Sequence, residues 1–137
     1  IGGYDVKIHL YTVPGQVKYN STRRLVLKGV DGVVFVADSA VERRNKNVLS
    51  LRNLEENLTL YNKNIREIPL VIQYNKRDLA KQGIEILDIE TLEADLNTEL
   101  KVPWFEASAV EGDNVLVTLK KIIYDTMASL EKQLKQE

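Results

Sequence analysis

The sequence predicts an α/β fold, a mostly parallel sheet with flanking helices, and three observations carry that prediction. Two uninterrupted β-favouring runs, Val33-Val34-Phe35-Val36-Ala37 and Leu70-Val71-Ile72-Gln73-Tyr74, have the composition of strands covered on both faces, as in parallel sheets. Strand-like and helix-like segments alternate along the whole chain without an internal repeat. The polar clusters fall just after the strands, which is where open α/β sheets bind ligands.

Taken in order, residues 4–12 set Val6, Ile8 and Leu10 against Lys7, His9 and Tyr11, a period of two that predicts a strand with unlike faces, ended by Pro14-Gly15. Residues 19–30 carry Leu25, Val26 and Leu27 with two arginines and predict a short helix, closed by Gly29 and the turn Asp31-Gly32. The run at 33–37 is a strand stopped by Asp38-Ser39. Over 45–61, Leu51, Leu54, Leu58 and Tyr61 recur at helical spacing with charges between them, so an amphipathic helix packs on the sheet there. A strand at 69–74, a helix at 89–100 and a strand at 102–107 follow, the last holding the only tryptophan, Trp104. A closing helix at 114–134 places Leu116, Leu119, Ile123, Met127, Leu130 and Leu134 along one face. Trp104 and Phe105 are read as core, His9 as a surface residue, and Arg43-Arg44-Asn45-Lys46 as a solvated helix start. Arg23 and Arg24 lie on a helix face open to solvent or to a regulator.

Composition narrows the chemistry. The 137 residues make one domain, and 44% hydrophobic with 28% charged residues is an ordinary globular balance. Nineteen Lys and Arg against twenty Asp and Glu leave a net charge of −1, so no overall basic field exists to hold a nucleic acid. No apolar run approaches the ~18 residues of a transmembrane helix, so no integral membrane segment is expected. Without cysteine there is no disulfide framework, thiol nucleophile or Cys-ligated metal, and the single histidine excludes a His-rich metal site. Absent disulfides and the lack of a secretory leader predict a cytoplasmic location.

Three loops follow three strands: Thr12-Val13-Pro14-Gly15-Gln16, Asn75-Lys76-Arg77-Asp78 and Ser108-Ala109-Val110-Glu111-Gly112. Together they resemble the Ras-like small GTPases, in which the Asn75-Lys76-x-Asp78 loop is similar to the guanine-specificity motif. A carboxylate at Asp78 can accept the two donors of the guanine edge, a pair that adenine does not offer. The resemblance implies that Asn75 holds the loop and the far edge of the base and that the aliphatic stem of Lys76 covers the ring. It also implies that the Ala109 N–H donates to the guanine carbonyl while Ser108 fixes the loop. The 12–16 loop is similar to switch II, where Gly15 meets the terminal phosphate and Gln16 orients the attacking water. A side chain at Gly15 would obstruct that approach.

Thr12 stands where most Ras-like proteins have an Asp that helps hold Mg2+. With it, the runs His9-Leu10-Tyr11-Thr12-Val13-Pro14-Gly15-Gln16-Val17 and Gly29-Val30-Asp31-Gly32-Val33-Val34-Phe35-Val36-Ala37-Asp38-Ser39-Ala40 resemble the MglA-like bacterial polarity GTPases, the gliding-motility switch proteins. That resemblance implies GTP and GDP as ligands with Mg2+, hydrolysis of GTP to GDP and phosphate, a roadblock-type GTPase-activating dimer as partner, and polarity and motility effectors. One element departs from it. No G-x-x-x-x-G-K-[ST] phosphate loop occurs in the 137 residues. The family topology therefore leads us to expect that residues 1–137 are the C-terminal portion of a single small-GTPase domain, from the strand before switch II to the last helix. It further predicts that most Mg2+ ligands lie upstream, that Ile1-Gly2-Gly3 ends a preceding hairpin, and that a strand belongs between 4–12 and 33–38. The alternative is a nucleotide-independent, GTPase-like scaffold or interaction module that lacks a phosphate loop.

Overall fold

The computed structural model describes residue 3, residues 5–15 and residues 17–136. Three strands, β1 (Val33–Asp38), β2 (Leu70–Asn75) and β3 (Trp104–Glu106), form one parallel sheet in the order β1-β2-β3. Val33 lies opposite Leu70 and Ile72 opposite Trp104. The helices are α1 (Asn20–Leu27), α2 (Arg44–Leu60), α3 (Ile89–Leu96) and α4 (Val115–Gln136). Parallel neighbours need a crossover, and α2 and α3 supply it. None of the helices is long and apolar enough to cross a membrane among the described residues.

Strand alternation divides the two faces. Phe35 and Ala37 of β1 with Leu70, Ile72 and Tyr74 of β2 join Leu54 and Leu58 of α2 and Leu92 and Leu96 of α3 in the main core. The opposite face meets α4, where Val71 is buried and Gln73 Nε2 donates to Thr118 Oγ1 at 3.0 Å. A Cβ on Gly32 would overlap Thr126 Oγ1 of α4, so the absence of a side chain lets this helix close on the start of β1.

Four expectations are corrected. Residues 5–12 form no strand, and Val6, Ile8 and Leu10 are exposed. Their alternation is a strand pattern, but a strand exists only through a hydrogen-bonded neighbour, and among the described residues none pairs with them. β1 is covered on both faces only in part, because Val36 is 53% exposed on the α4 side. Along α4 the buried line runs through Thr118 and Ile122, with Leu119, Ile123, Met127 and Leu130 partly buried and Leu116 and Leu134 exposed. The apolar stripe thus leans on the sheet by its edge. Trp104 is 39% exposed, since β3 is a short edge strand, and its ring tilts against Tyr74 at 5.7 Å between centroids.

Polar groups do much of the work between α1 and α2. Asn20 Oδ1 accepts from Asn53 Nδ2 at 3.2 Å and from Asn57 Nδ2 at 3.1 Å, and Asn57 is fully buried. Arg23 Nε donates to Asn53 Oδ1 at 3.1 Å and Arg24 Nε to Asn57 Oδ1 at 3.0 Å. At the other end of α1, Lys63 Nζ donates to the carbonyls of Leu27, Lys28 and Val30 at 3.2, 2.9 and 2.9 Å. An ammonium there satisfies carbonyls that a helix end leaves without partners and sits at the negative end of the helix dipole.

Candidate functional site

The carboxyl ends of all three strands open onto one edge of the sheet, and the loops that leave them are bound to one another. After β2 the chain enters the left-handed region at Lys76, φ 67°, and then a 3-10 turn over Arg77–Gln82. This reversal carries Asp78 under the loop that follows β3. Asp78 is only 8% exposed, and its Oδ1 accepts from Ser108 Oγ at 2.9 Å. Ser108 Oγ in turn accepts from the Glu111 N–H at 3.3 Å, so one hydroxyl fixes both the carboxylate and the turn beyond it. The Ala107 carbonyl accepts from the Arg77 N–H at 3.1 Å, a further tie between the two loops.

Asn75 Oδ1 accepts from the Ala109 N–H at 2.9 Å. This leaves the amino half of the amide as the donor for a base. The resemblance assigned the Ala109 N–H to a guanine carbonyl; here Asn75 takes it, so a base carbonyl would compete with Asn75 for that proton. Lys76 Nζ lies 2.8 Å from Asp38 Oδ2 at the end of β1. Arg77 Nε pairs with Glu106 at 3.2 Å, and Lys81 with Glu111 at 3.1 Å, both at the surface. Behind the loops, Tyr74 is fully buried; burial first, and then the Glu93 carboxylate, hold its phenol above the ordinary 10.0.

Asn75, Lys76, Asp78, Ser108 and Ala109 are thus gathered in one cluster. Gly15 is not part of it: it is exposed in the 5–15 segment, a Cβ added there would meet nothing within 4 Å, and no hydrogen bond joins it to the cluster among the described residues. The preceding carbonyl, that of Pro14, accepts from Arg23 Nη1 at 2.8 Å. Gln16 lies outside the described residues. His9 is exposed, whereas Arg23 and Arg24, read as a face open to solvent or a regulator, are tied to α2. No three Asp, Glu or His side chains gather among the described residues as a metal site would require.

Sequence reasoning missed Asp38, Asn47, Asn53, Asn57 and Lys63. For the asparagines a signal was present. Asn53 and Asn57 are four residues apart beside Leu54 and Leu58, which places two amides on the buried side of a helix.

Residues 2–126 match the family model of the ADP-ribosylation factor family. The chain is 46% identical over 132 residues to the mutual gliding-motility protein MglA of Myxococcus xanthus (strain DK1622), covering 96% of this chain and 65% of that protein. It is 30% identical over 135 residues to ADP-ribosylation factor-like protein 4A of Homo sapiens, covering 96% of this chain and 64% of that protein. The proteins of that name from Mus musculus and Bos taurus match to the same extent, so the chain spans a little under two-thirds of the length of these relatives.

Proposed function

With this chain a member of the ADP-ribosylation factor family of Ras-like small GTPases, we propose that it is the guanine-reading part of a nucleotide switch controlling bacterial polarity and gliding motility. The observation that carries the proposal is the convergence of Asn75, Asp78, Ser108 and Ala109 at one sheet edge. Ser108 holds one oxygen of the Asp78 carboxylate, which fixes the group's orientation toward the two donors of a guanine edge. Asn75 offers its amino group to the far side of the base and its oxygen to Ala109. Lys76 lays its stem along the ring.

In the whole protein, a water attacks the terminal phosphorus of GTP in line with the bond to the departing GDP oxygen. Gln16 orients that water, and the Gly15 N–H meets the phosphate. Mg2+ supplies charge neutralisation at the phosphates when bound. Residues 1–137 contain base contacts and no Gly-rich phosphate loop, so taken alone they do not turn over GTP. A roadblock-type dimer as GTPase activator, motility effectors and a cytoplasmic location complete this reading, on the likeness to the gliding-motility protein.

Competition binding of GTP and ATP to the full encoded protein tests it. Asp78→Ala should weaken GTP binding by about 1.5–3 kcal/mol, the size of a charge-assisted pair, and reduce the preference over ATP. An unchanged GTP-to-ATP ratio removes Asp78 from the role. Absence of any guanine-nucleotide binding by the wild-type protein leaves the nucleotide-independent scaffold.

A further inference from the structure

Lys76 combines a fixed base and a loose arm. Its backbone is set by the left-handed turn at φ 67°, yet its four-carbon stem is flexible and its side chain is 51% exposed. What ends the arm is Asp38, with Nζ 2.8 Å from Oδ2. The aspartate is itself held by three further hydrogen bonds. Its Oδ1 accepts from the Ala40 N–H at 3.0 Å. Its own N–H donates to Asn47 Oδ1 at 3.0 Å, and its carbonyl accepts from Asn47 Nδ2 at 2.8 Å. Asn47 is itself buried in the first turns of α2. A half-exposed ion pair contributes little to stability, so this arrangement acts on where the Lys76 stem lies more than on whether the chain folds.

From this geometry we propose that Asp38, clamped by Asn47, is a positioning residue for nucleotide retention: it draws the Lys76 stem across the ends of β1 and β2 so that the stem is already in place when a purine docks. The inference rests on the guanine reading above and adds to it a residue from a different strand. Ordering the stem beforehand removes an entropy cost from binding, and the gain appears chiefly as slower departure of the ligand.

The test is dissociation of fluorescent GDP from the full encoded protein, with the melting temperature measured alongside. Asp38→Asn keeps an oxygen for the Ala40 N–H and gives up the charge that grips the ammonium. It should speed GDP release by roughly three- to tenfold with an unchanged melting temperature. In a Lys76→Ala background the same change should add nothing. Should Asp38→Asn lower the melting temperature, Lys76→Met, which alters only the exposed ammonium, takes over the comparison and should give the same acceleration. A release rate unchanged in both variants overturns the positioning role, as does an equal acceleration by Asp38→Asn with and without Lys76. A wild-type protein that holds GDP no better than ADP overturns the guanine reading and this role together; a wild-type preference for GDP with unchanged Asp38→Asn release overturns this role alone.

Discussion

The Ser108 hydroxyl stands between a buried carboxylate and a backbone N–H, and nothing else is bonded to that carboxylate oxygen among the described residues. Ser108→Ala should therefore cost about 1–3 kcal/mol of folding stability, the penalty for leaving a buried acceptor without its donor, read by urea denaturation. Guanine-nucleotide affinity should fall with it, whereas Ser108→Thr, which keeps the hydroxyl, should retain much of both. Asp88 is a pH reporter. Its side chain caps α3 by accepting from the Thr91 N–H at 2.7 Å; hydrogen bonding to the Thr91 side chain first, then to that N–H, followed by Arg77 and Arg44 nearby, holds its pKa below the ordinary 3.8. A lowered pKa in the fold means that the charged cap stabilises above the unfolded value and is lost as pH falls through the folded one. The stability difference between wild type and Asp88→Asn should hence be constant near neutrality and shrink only in acid, from about pH 5 downward through the unfolded value of 3.8 and on through the lower folded one; a difference that moves between pH 5 and 8 would contradict the cap. Asn75, Lys76 and Asp78 were legible because three chemically distinct residues at fixed spacing follow an apolar run. Asp38 was not, since Asp-Ser after a strand is also the ordinary composition of a turn.

Between elements, α1 is a short helix whose hold on its neighbour is largely polar, through Asn53 and Asn57 at one end and Lys63 at the other. Lys63→Met keeps the stem and removes the ammonium from three carbonyls at once. It should cost about 1–2 kcal/mol and accelerate amide exchange selectively in α1, with α3 and α4 unaffected; uniform acceleration would show that the helix has no separate anchorage. Packing of α4 offers a second test. Gly32→Ala should destabilise by about 1–3 kcal/mol through overlap with Thr126, and Thr126→Ala in the same chain should recover part of the loss. Apolar spacing placed the start of each of the four helices to within a residue, but α1 and α3 stop at Leu27 and Leu96, short of the expected 30 and 100. The buried line of α4 could not be read in this way. With Leu119, Ile123, Met127 and Leu130 on one side of it and Leu116 beyond, the spacing points at an apolar arc, and only the sheet decides which residue of the arc faces inward. Amides buried against arginines are harder still to foresee, because each residue taken singly reads as surface.

At the scale of the molecule, the parallel α/β order followed from two apolar runs and the alternation between them, but the opening segment did not behave as its pattern suggests. Periodicity encodes which side of a strand is apolar, and only a neighbour makes it a strand; residues 5–12 have the first without the second among the described residues. Their exposed Val6, Ile8 and Leu10, the exposed Val36 and the outer edge of β1 predict that residues 1–137 expressed alone self-associate. With only the proposed base contacts and no G-x-x-x-x-G-K-[ST] run, they should bind GTP with a Kd weaker than roughly 1 mM. Light scattering and calorimetric titration check the two statements, and a monodisperse monomer with micromolar affinity would refute both. The clamp on Asp38 bears on this edge as well. Val33 and Ser39 direct their N–H groups to Pro69 and Asn75 on the β2 side, so by the alternation of a parallel ladder Val34, Val36 and Asp38 face outward. Asn47 occupies both groups of Asp38. Any strand laid along β1 can therefore zip as far as Val36 and finds the next rung taken: the amide is a terminus for pairing, and an added chain must leave the sheet there, at the level of the loops that carry Asn75 and Ala109.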